Sequence, residues 1–355
     1  MEQVIRIGMD TSKRVFQLHG VDAAERPVLR RKLRRADVLT FFGKLPPTRI
    51  GMEACGGSHH WGRELGALGH EVVLIPPQYV KPYVDRGKND AADAAAICEA
   101  MSRPKVGKRM VPIKTIEQQS AQMLIGVRDG LLKRRTQVSN TIRGYAAEYG
   151  LVAPKGLAHV EPLLARLAAD DAVPLLAREL FAMLAGQLRH VSAQIREIDA
   201  RLLEHHRASQ QSRRLEKVPS IGPVIAAALT AKVPDPTRFR SGRDFAAWLG
   251  LTPKDHSTAG KSRQGGITRA GDEMLRSLLI CGASSVIQQA RRSRSGAPSW
   301  LSSLLEHKPP KLAAVALANK TARIAWKMMV TGEPYDPCRD RMHHAVGADA
   351  FAEAA

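Results

Sequence analysis

Val4-Ile-Arg-Ile-Gly-Met-Asp10 and Arg49-Ile-Gly-Met-Glu53 decide how the first part of the chain is read. Each is a short β-type run that closes on a carboxylate. Val15-Phe-Gln-Leu-His19 follows the first run after a polar turn, and Val28 to Leu33 mixes apolar and basic side chains. Strands joined by such short links predict a meander. Next come a short helix from about Ala36 to Phe42, the strand that ends at Glu53, a helix from Ser58 to Leu68, and the strand Glu71-Val-Val-Leu-Ile75. Pro76 and Pro77 stop that strand and lead towards another helix.

The resulting order, β-β-β-α-β-α-β-α, is that of a ribonuclease H-like fold, and its two crossovers make part of the sheet parallel. In such a sheet the strands ending at Asp10 and Glu53 are neighbours, so their carboxylates converge. Gly87-Lys-Asn-Asp-Ala-Ala-Asp-Ala-Ala-Ala-Ile-Cys98 then sets Asp90 and Asp93 three apart on one face at the start of a helix. Taken singly these residues have plainer roles, as a turn former for Asp10 and as N-terminal helix charges for Asp90 and Asp93. Together, four carboxylates from two strand ends and one helix match the needs of two Mg²⁺ ions, with Mn²⁺ as a substitute. Hard cations take oxygen ligands, and a two-metal site stabilises the attacking and leaving oxygens of a phosphodiester. Repulsion among the carboxylates would oppose folding until a cation neutralises it, so metal-dependent stabilisation is expected.

The chain has 355 residues, well beyond the roughly 150 of one domain, so more than one unit is expected. It carries 54 Lys and Arg against 34 Asp and Glu, a formal charge of +20, with 44% hydrophobic residues. That balance argues against disorder and for a polyanionic partner whose counterions are displaced on binding. No apolar run of about 18 residues and no signal-peptide pattern occurs, so a cytoplasmic, nucleoid-associated protein is expected. Cys55, Cys98, Cys281 and Cys338 are scattered without a Cys-x-x-Cys pair, which predicts reduced, mostly buried thiols.

Beyond the β-rich part, Leu124, Leu131, Val138 and Tyr145 recur every seven positions in a helix predicted from Thr115 to about Tyr149. A second helical stretch runs from about Glu161 to Arg207, broken near Pro174. Its stripe of Phe181, Leu184, Leu188, Val191, Ile195, Ile198 and Leu202 has the spacing of a coiled-coil seam. A helical arm follows from the pair, serving as spacer, oligomer contact or nucleic-acid grip. From about Leu215 the chain reads as helical throughout, with helices at Pro223 to Ala231, Ser241 to Leu249, Asp272 to Arg292, Ser299 to His307 and Leu312 to Val330. Pro253 to Thr268 is the exception, read as an irregular Gly/Ser/Thr/Lys-rich connection.

Basic residues cluster where a phosphate backbone would lie. Arg30, Arg31, Lys32, Arg34 and Arg35 sit on the third strand and its exit, and Lys88 precedes Asp90. Between Arg103 and Arg143 ten Lys or Arg, among them Lys105, Lys108, Arg109, Lys133, Arg134 and Arg135, face only Glu117 and Asp129, a local net of +8. Such runs set affinity and salt dependence without reading sequence. Lys217-Val-Pro-Ser-Ile-Gly-Pro-Val-Ile225 has the look of a helix-hairpin-helix turn, and a plain αα turn would use the same glycine and proline. In the later loop Ser257, Thr258 and Ser262 stand among Lys254, His256, Lys261 and Arg263, before Arg269 and Arg276. Cationic neighbours would favour a serine alkoxide and a pentacovalent phosphate, while composition alone describes a mobile basic loop.

With these residues in place, the chain resembles the DEDD transposases of the insertion-sequence one-hundred-and-ten family, its eleven-eleven branch in particular. The likeness runs from Ile5 to about Tyr335. It rests on Ile7-Gly-Met-Asp10, Met52-Glu-Ala-Cys-Gly-Gly57, Lys88-Asn-Asp-Ala-Ala-Asp-Ala94, Pro219-Ser-Ile-Gly-Pro223, Leu249-Gly-Leu-Thr-Pro253 with His256-Ser-Thr-Ala-Gly-Lys261, and Asn319-Lys-Thr-Ala-Arg-Ile-Ala-Trp326. The resemblance implies a fold class of α/β plus all-α: a RuvC-like, ribonuclease H-fold N-terminal domain over 1–112, a helical coiled-coil arm over 113–210, and a helical C-terminal transposase domain over 211–337, followed by a mobile tail, 338–355. It also implies a metal-binding tetrad of Asp10, Glu53, Asp90 and Asp93, and a nucleophilic serine that aligns with Ser257. The loop reads Ser-Thr-Ala-Gly where relatives often carry two serines or Ser-Thr before two glycines, so Thr258 stays a rival for that position. The activity implied is RNA-guided recombination, with a bridge-type noncoding RNA choosing donor and target DNA and a homodimer assembling to a homotetramer. A RuvC-type endonuclease using metal-activated water, or a noncatalytic nucleic-acid-binding scaffold, are the rival readings of the same residues.

Overall fold

Ile7 and Met9 point to one side of β1 (Arg6–Asp10) and bury against Phe16, Leu18, Leu33, Ile50, Met52 and Trp61. β1 pairs antiparallel with β2 (Val15–Val21), which pairs antiparallel with β3 (Pro27–Arg34), and these three form the expected meander. After α1 (Val38–Phe42), β4 (Arg49–Glu53) returns parallel to β1. After α2 (Ser58–Ala67), β5 (Glu71–Ile75) adds parallel to β4. The strand order is β3-β2-β1-β4-β5, a mixed sheet consistent with the ribonuclease H-like expectation. α3 (Pro77–Val80), α4 (Asp90–Ser102) and α5 (Pro104–Gly107) follow. The computed structural model describes residues 3–84, 90–107, 110–256, 258, 263–292 and 299–337, and the chain divides into two units, 1–119 and 120–355.

Glycine inside a strand normally weakens it, and here two glycines mark a close approach. A Cβ on Gly8 would lie 2.1 Å from the Ala94 carbonyl oxygen and 2.5 Å from the Cys98 nitrogen; one on Gly51 would lie 2.2 Å from Met101 Sδ. α4 therefore rests directly on β1 and β4, burying Ala94, Ile97, Cys98 and Met101. Arg6 holds the far end of the contact, its Nε donating to the Cys98 carbonyl at 2.9 Å while its guanidinium pairs with Glu25.

The second unit is helical with one hairpin. α6 (Ile116–Glu148), whose first turn contains the boundary, runs with α7 (Val160–Ala169) and α8 (Leu175–Ala208), and Ile142, Val160, Leu163, Leu167, Phe181 and Leu188 share one apolar cluster. On α8, Phe181, Leu188, Ile195 and Leu202 are buried at seven-residue intervals, as the heptad spacing predicts. On α6 the seven-residue pattern fails at its end: Tyr145 is 60% exposed, and Ile142 and Ala146 are buried instead. A helix of 3.6 residues per turn drifts about 20° per heptad away from a 3.5 repeat, so a short arm need not hold the seam. Arg128 Nε donates to Asp199 Oδ1 at 2.5 Å and ties α6 to α8.

α9 (Gln210–Leu215), α10 (Pro223–Lys232), α11 (Gly242–Trp248), α12 (Glu273–Arg292), α13 (Ser299–His307) and α14 (Pro310–Thr331) enclose a further core rich in alanine. The stretch read as irregular is instead a β-hairpin, β6 (Pro253–Asp255) against β7 (Gln264–Ile267), with Pro253 opposite Ile267 and Asp255 opposite Gln264. Its strands are solvent-exposed almost throughout, so they lack the apolar alternation by which strands are recognised. The expectation of mostly buried thiols is also corrected. Cys98 is buried, whereas Cys55 in the turn after β4 and Cys281 on the outer side of α12 are exposed. The tail 338–355 lies outside the described residues. No helix among the described residues is long and apolar enough to cross a membrane.

The close approach of α4 makes a direct prediction. Gly8→Ala forces backbone against backbone and should cost at least about 1–3 kcal/mol. Gly66→Ala, in α2 with open space around it, should instead be neutral or stabilising by up to about 1 kcal/mol. Thermal unfolding of the two variants checks the contrast.

Candidate metal centre

Parallel pairing of β1 and β4, with Gly8 beside Gly51, carries both strands to the same edge of the sheet. Asp10 and Glu53 stand two residues beyond those glycines and so share their face, the one covered by α4. α4 begins there and supplies Asp90 and Asp93 in its first turn. Carboxylate oxygens of Asp10, Asp90 and Asp93 all lie within 4.8 Å of one another. Glu53 adjoins this trio, close enough for the charges of Asp10 and Asp93 to act on it.

The carboxylates of this cluster act on one another electrostatically. Burial, then Asp93 and Asp90, push the Asp10 carboxyl above its ordinary value, against a smaller opposing hydrogen bond from the Thr11 backbone. Burial, then Asp10 and Asp93, push Glu53 up in the same way. The positive end of α4 offsets part of the repulsion. The donor set is entirely carboxylate oxygen, with no histidine or thiolate in the cluster, which suits a hard divalent cation rather than zinc or copper. The residues thus fit an oxygen-liganded divalent ion held by Asp10, Asp90 and Asp93 with Glu53 beside them.

The basic residues divide by what they touch. Arg31 lies 4.9 Å over the Phe41 ring and Arg35 lies 5.1 Å over Trp61, so both lid the apolar core. Lys32 and Arg34 are exposed. Lys133 pairs with Asp129 at 2.8 Å on α6, and Arg134 is exposed beside it, with Arg135 half-buried. Arg143 donates to the Gly156 carbonyl and to Ser139 Oγ. Lys254, Arg263 and Arg269 are exposed on or beside the β6–β7 hairpin. Lys88, Lys108, Arg109, Ser257 and Lys261 lie outside the described residues, as does the side chain of Lys105; Thr258 is exposed.

Arg276, grouped in the sequence with the phosphate-binding cations, is buried and donates to the Leu249 and Ala270 carbonyls at 3.0 and 2.9 Å. It clamps a crossing at which a Cβ on Gly271 would lie 1.8 Å from the Trp248 carbonyl oxygen, and from this crossing the hairpin springs. Two polar residues beside the acidic cluster escaped the sequence reading. Gln17 is the register partner of Asp10, and His19 that of Gly8. The pairing of β2 with β1 follows from the meander, but the register that sets Gln17 beside Asp10 does not.

Two family models match the chain, one described as a DEDD transposase over residues 7–150 and one as the transposase IS116/IS110/IS902 family over residues 212–297. A putative transposase, y4pF/y4sB, of Sinorhizobium fredii is 60% identical over 94% of this chain and 86% of its own length. A probable family 20 transposase of Pseudomonas aeruginosa is 46% identical over 94% and 98%. The transposase for insertion sequence element IS1111A of Coxiella burnetii is 36% identical over 94% and 92%. With identity of this order sustained along nearly the whole chain, and with a carboxylate cluster at the matched N-terminal region, the chain belongs to the IS110/IS1111 family of transposases.

Proposed function

We propose that this transposase excises and inserts its insertion sequence by serine attack on DNA phosphodiesters, with Asp10, Glu53, Asp90 and Asp93 holding two Mg²⁺ ions. The observation that carries the reading is the convergence of three aspartates within 4.8 Å beside a fourth carboxylate, in a family named for its acidic residues. When bound, the ions supply Lewis-acid neutralisation of phosphodiester oxygens. The carboxylates fix where the scissile phosphate sits. Ser257 Oγ then attacks phosphorus: an Oγ–P bond forms, one P–O ester bond breaks, and the leaving DNA oxygen takes up a proton. Reversal of that step on a new DNA end reseals the strand without hydrolysis. Lys254 and Arg263, on either limb of the hairpin that carries the loop, stabilise charge on the phosphate. The basic surfaces engage DNA and a structured bridge-type guide RNA, and the helical arm, 113–210, joins a homodimer that pairs into a tetramer. The domain limits 1–112 and 211–337 follow the same reading, with the turn at Pro219–Pro223 set against the DNA backbone.

A cleavage assay on element-end junction DNA with the guide RNA tests this. Asp10→Asn and Ser257→Ala should each lower cleavage by about 10³-fold or more, and Thr258→Ala should retain a covalent protein–DNA adduct. An adduct that survives Ser257→Ala and vanishes in Thr258→Ala moves the nucleophile by one residue. Free DNA ends without any adduct favour metal-activated water.

The raised carboxyls add a solution test. Asp10 and Glu53 hold protons more tightly in the folded than in the unfolded chain. The metal-free protein should therefore lose stability as pH rises from the ordinary carboxylate range, about 4, through the raised values. At neutral pH, Mg²⁺ at a hundredfold excess over its Kd should restore about 2.7 kcal/mol, visible as a higher Tm, and Asp10→Asn should remove most of that gain.

A further inference from the structure

The sheet face that carries the acidic cluster continues across β2 and β3. Register sets Gln17 beside Asp10 and Lys32 beside Gln17; one step along, it sets His19 beside Gly8 and Arg30 beside His19. Directly paired residues share a face, so Asp10, Gln17 and Lys32 form one row and Gly8, His19 and Arg30 the next. Strands lie about 4.8 Å apart, which puts the main chain of Lys32 about 10 Å from that of Asp10. Alternation sends Arg31 to the opposite face, where it covers Phe41. A cleft of about 420 Å³ opens over the two rows, walled on the other side by α4 residues including Ala91 and Ala95. Ala91 stands in the same helical turn as Asp90 and Asp93, so the cleft adjoins the acidic cluster.

Its chemistry is the reverse of its neighbour's. The wall is methyl groups, which leave room for a bulky group, and no carboxylate lines it. Gln17, His19, Arg30, Arg31 and Lys32 border the cleft, and burial and then Arg30 hold the His19 imidazole below its ordinary value, which favours a neutral ring able to hydrogen-bond a ligand. Neither Arg30 nor Lys32 is in an ion pair among the described residues. Paired cations with neutral hydrogen-bonding groups around a small-walled cleft suit a phosphate and its sugar.

We propose that this cleft holds a backbone phosphate of the same DNA strand whose scissile phosphodiester lies at the acidic cluster. With the Lys32 and Asp10 main chains about 10 Å apart, the held phosphate is a near neighbour of the scissile one on that strand. The inference rests on the carboxylates being the cleavage centre. It assigns Arg30 and Lys32, on the face of the acidic cluster, to the substrate strand.

The test is cleavage by the full chain of junction DNA bearing one neutral methylphosphonate, moved phosphate by phosphate along the cut strand. The wild type should slow about tenfold at one position beside the scissile phosphate. The Arg30→Ala, Lys32→Ala double variant should slow about tenfold on ordinary DNA and lose the response at that position; Lys44→Ala, in the loop after α1, should behave as wild type. A double variant that keeps the full wild-type response, or a wild type with no sensitive position, overturns the assignment. Loss of guide-RNA binding with the DNA response unchanged overturns it in favour of RNA. Cleavage that still requires Asp10 leaves the carboxylate reading standing in each of those cases, whereas no Asp10-dependent cleavage in any arm overturns both.

Discussion

The contact of α4 with bare backbone at Gly8 and Gly51 is the constraint on which the first unit depends. Side chains at those positions would hold the helix off the sheet, since a Cβ at Gly8 would fall within 2.1 Å of a helix carbonyl. Because the helix sits that close, its first turn reaches the strand ends, and Asp90 and Asp93 meet Asp10 and Glu53. The approach costs electrostatic energy, because half-buried like charges raise one another's affinity for protons. Packing of Ile97, Cys98 and Met101 and the Arg6 anchor hold the helix against that repulsion. The fold thus gathers like charges that a divalent cation would neutralise.

Around this acidic point the chain is strongly basic, at +20. The two facts belong together for a protein that acts on nucleic acid. Carboxylates alone would repel phosphate, and lysine and arginine alone would bind it without cutting. Rows of the same sheet pass from Asp10 through Gln17 to Lys32, so sign changes across two strands. In the second unit an Arg276 clamp and a glycine crossing brace the root of an exposed hairpin.

Much of the first unit was legible because strand signals are local. Arg49-Ile-Gly-Met-Glu53 and Glu71-Val-Val-Leu-Ile75 are bounded in the structure where their apolar runs end, and Asp10 and Glu53 converge because parallel neighbours end together. The heptad on α8 was likewise readable, since each of its buried residues repeats the same local geometry. Tyr145 misled because a seven-residue count ignores helical drift and the packing of α7. The β6–β7 hairpin escaped because strands exposed on both faces carry no apolar period. Arg276 stood among exposed cations by charge alone; the backbone carbonyls it meets depend on partners distant in sequence. Gly8 and Gly51 set the helix position, which shows only once α4 is packed on the strands.

The most direct test of the account is anomalous diffraction at the manganese edge from crystals of the full chain grown with Mn²⁺. The account predicts anomalous density bounded by the carboxylates of Asp10, Glu53, Asp90 and Asp93, lost in Asp10→Asn crystals. Saturating Mn²⁺ that leaves no anomalous density among those four side chains, in an otherwise unchanged fold, would contradict it.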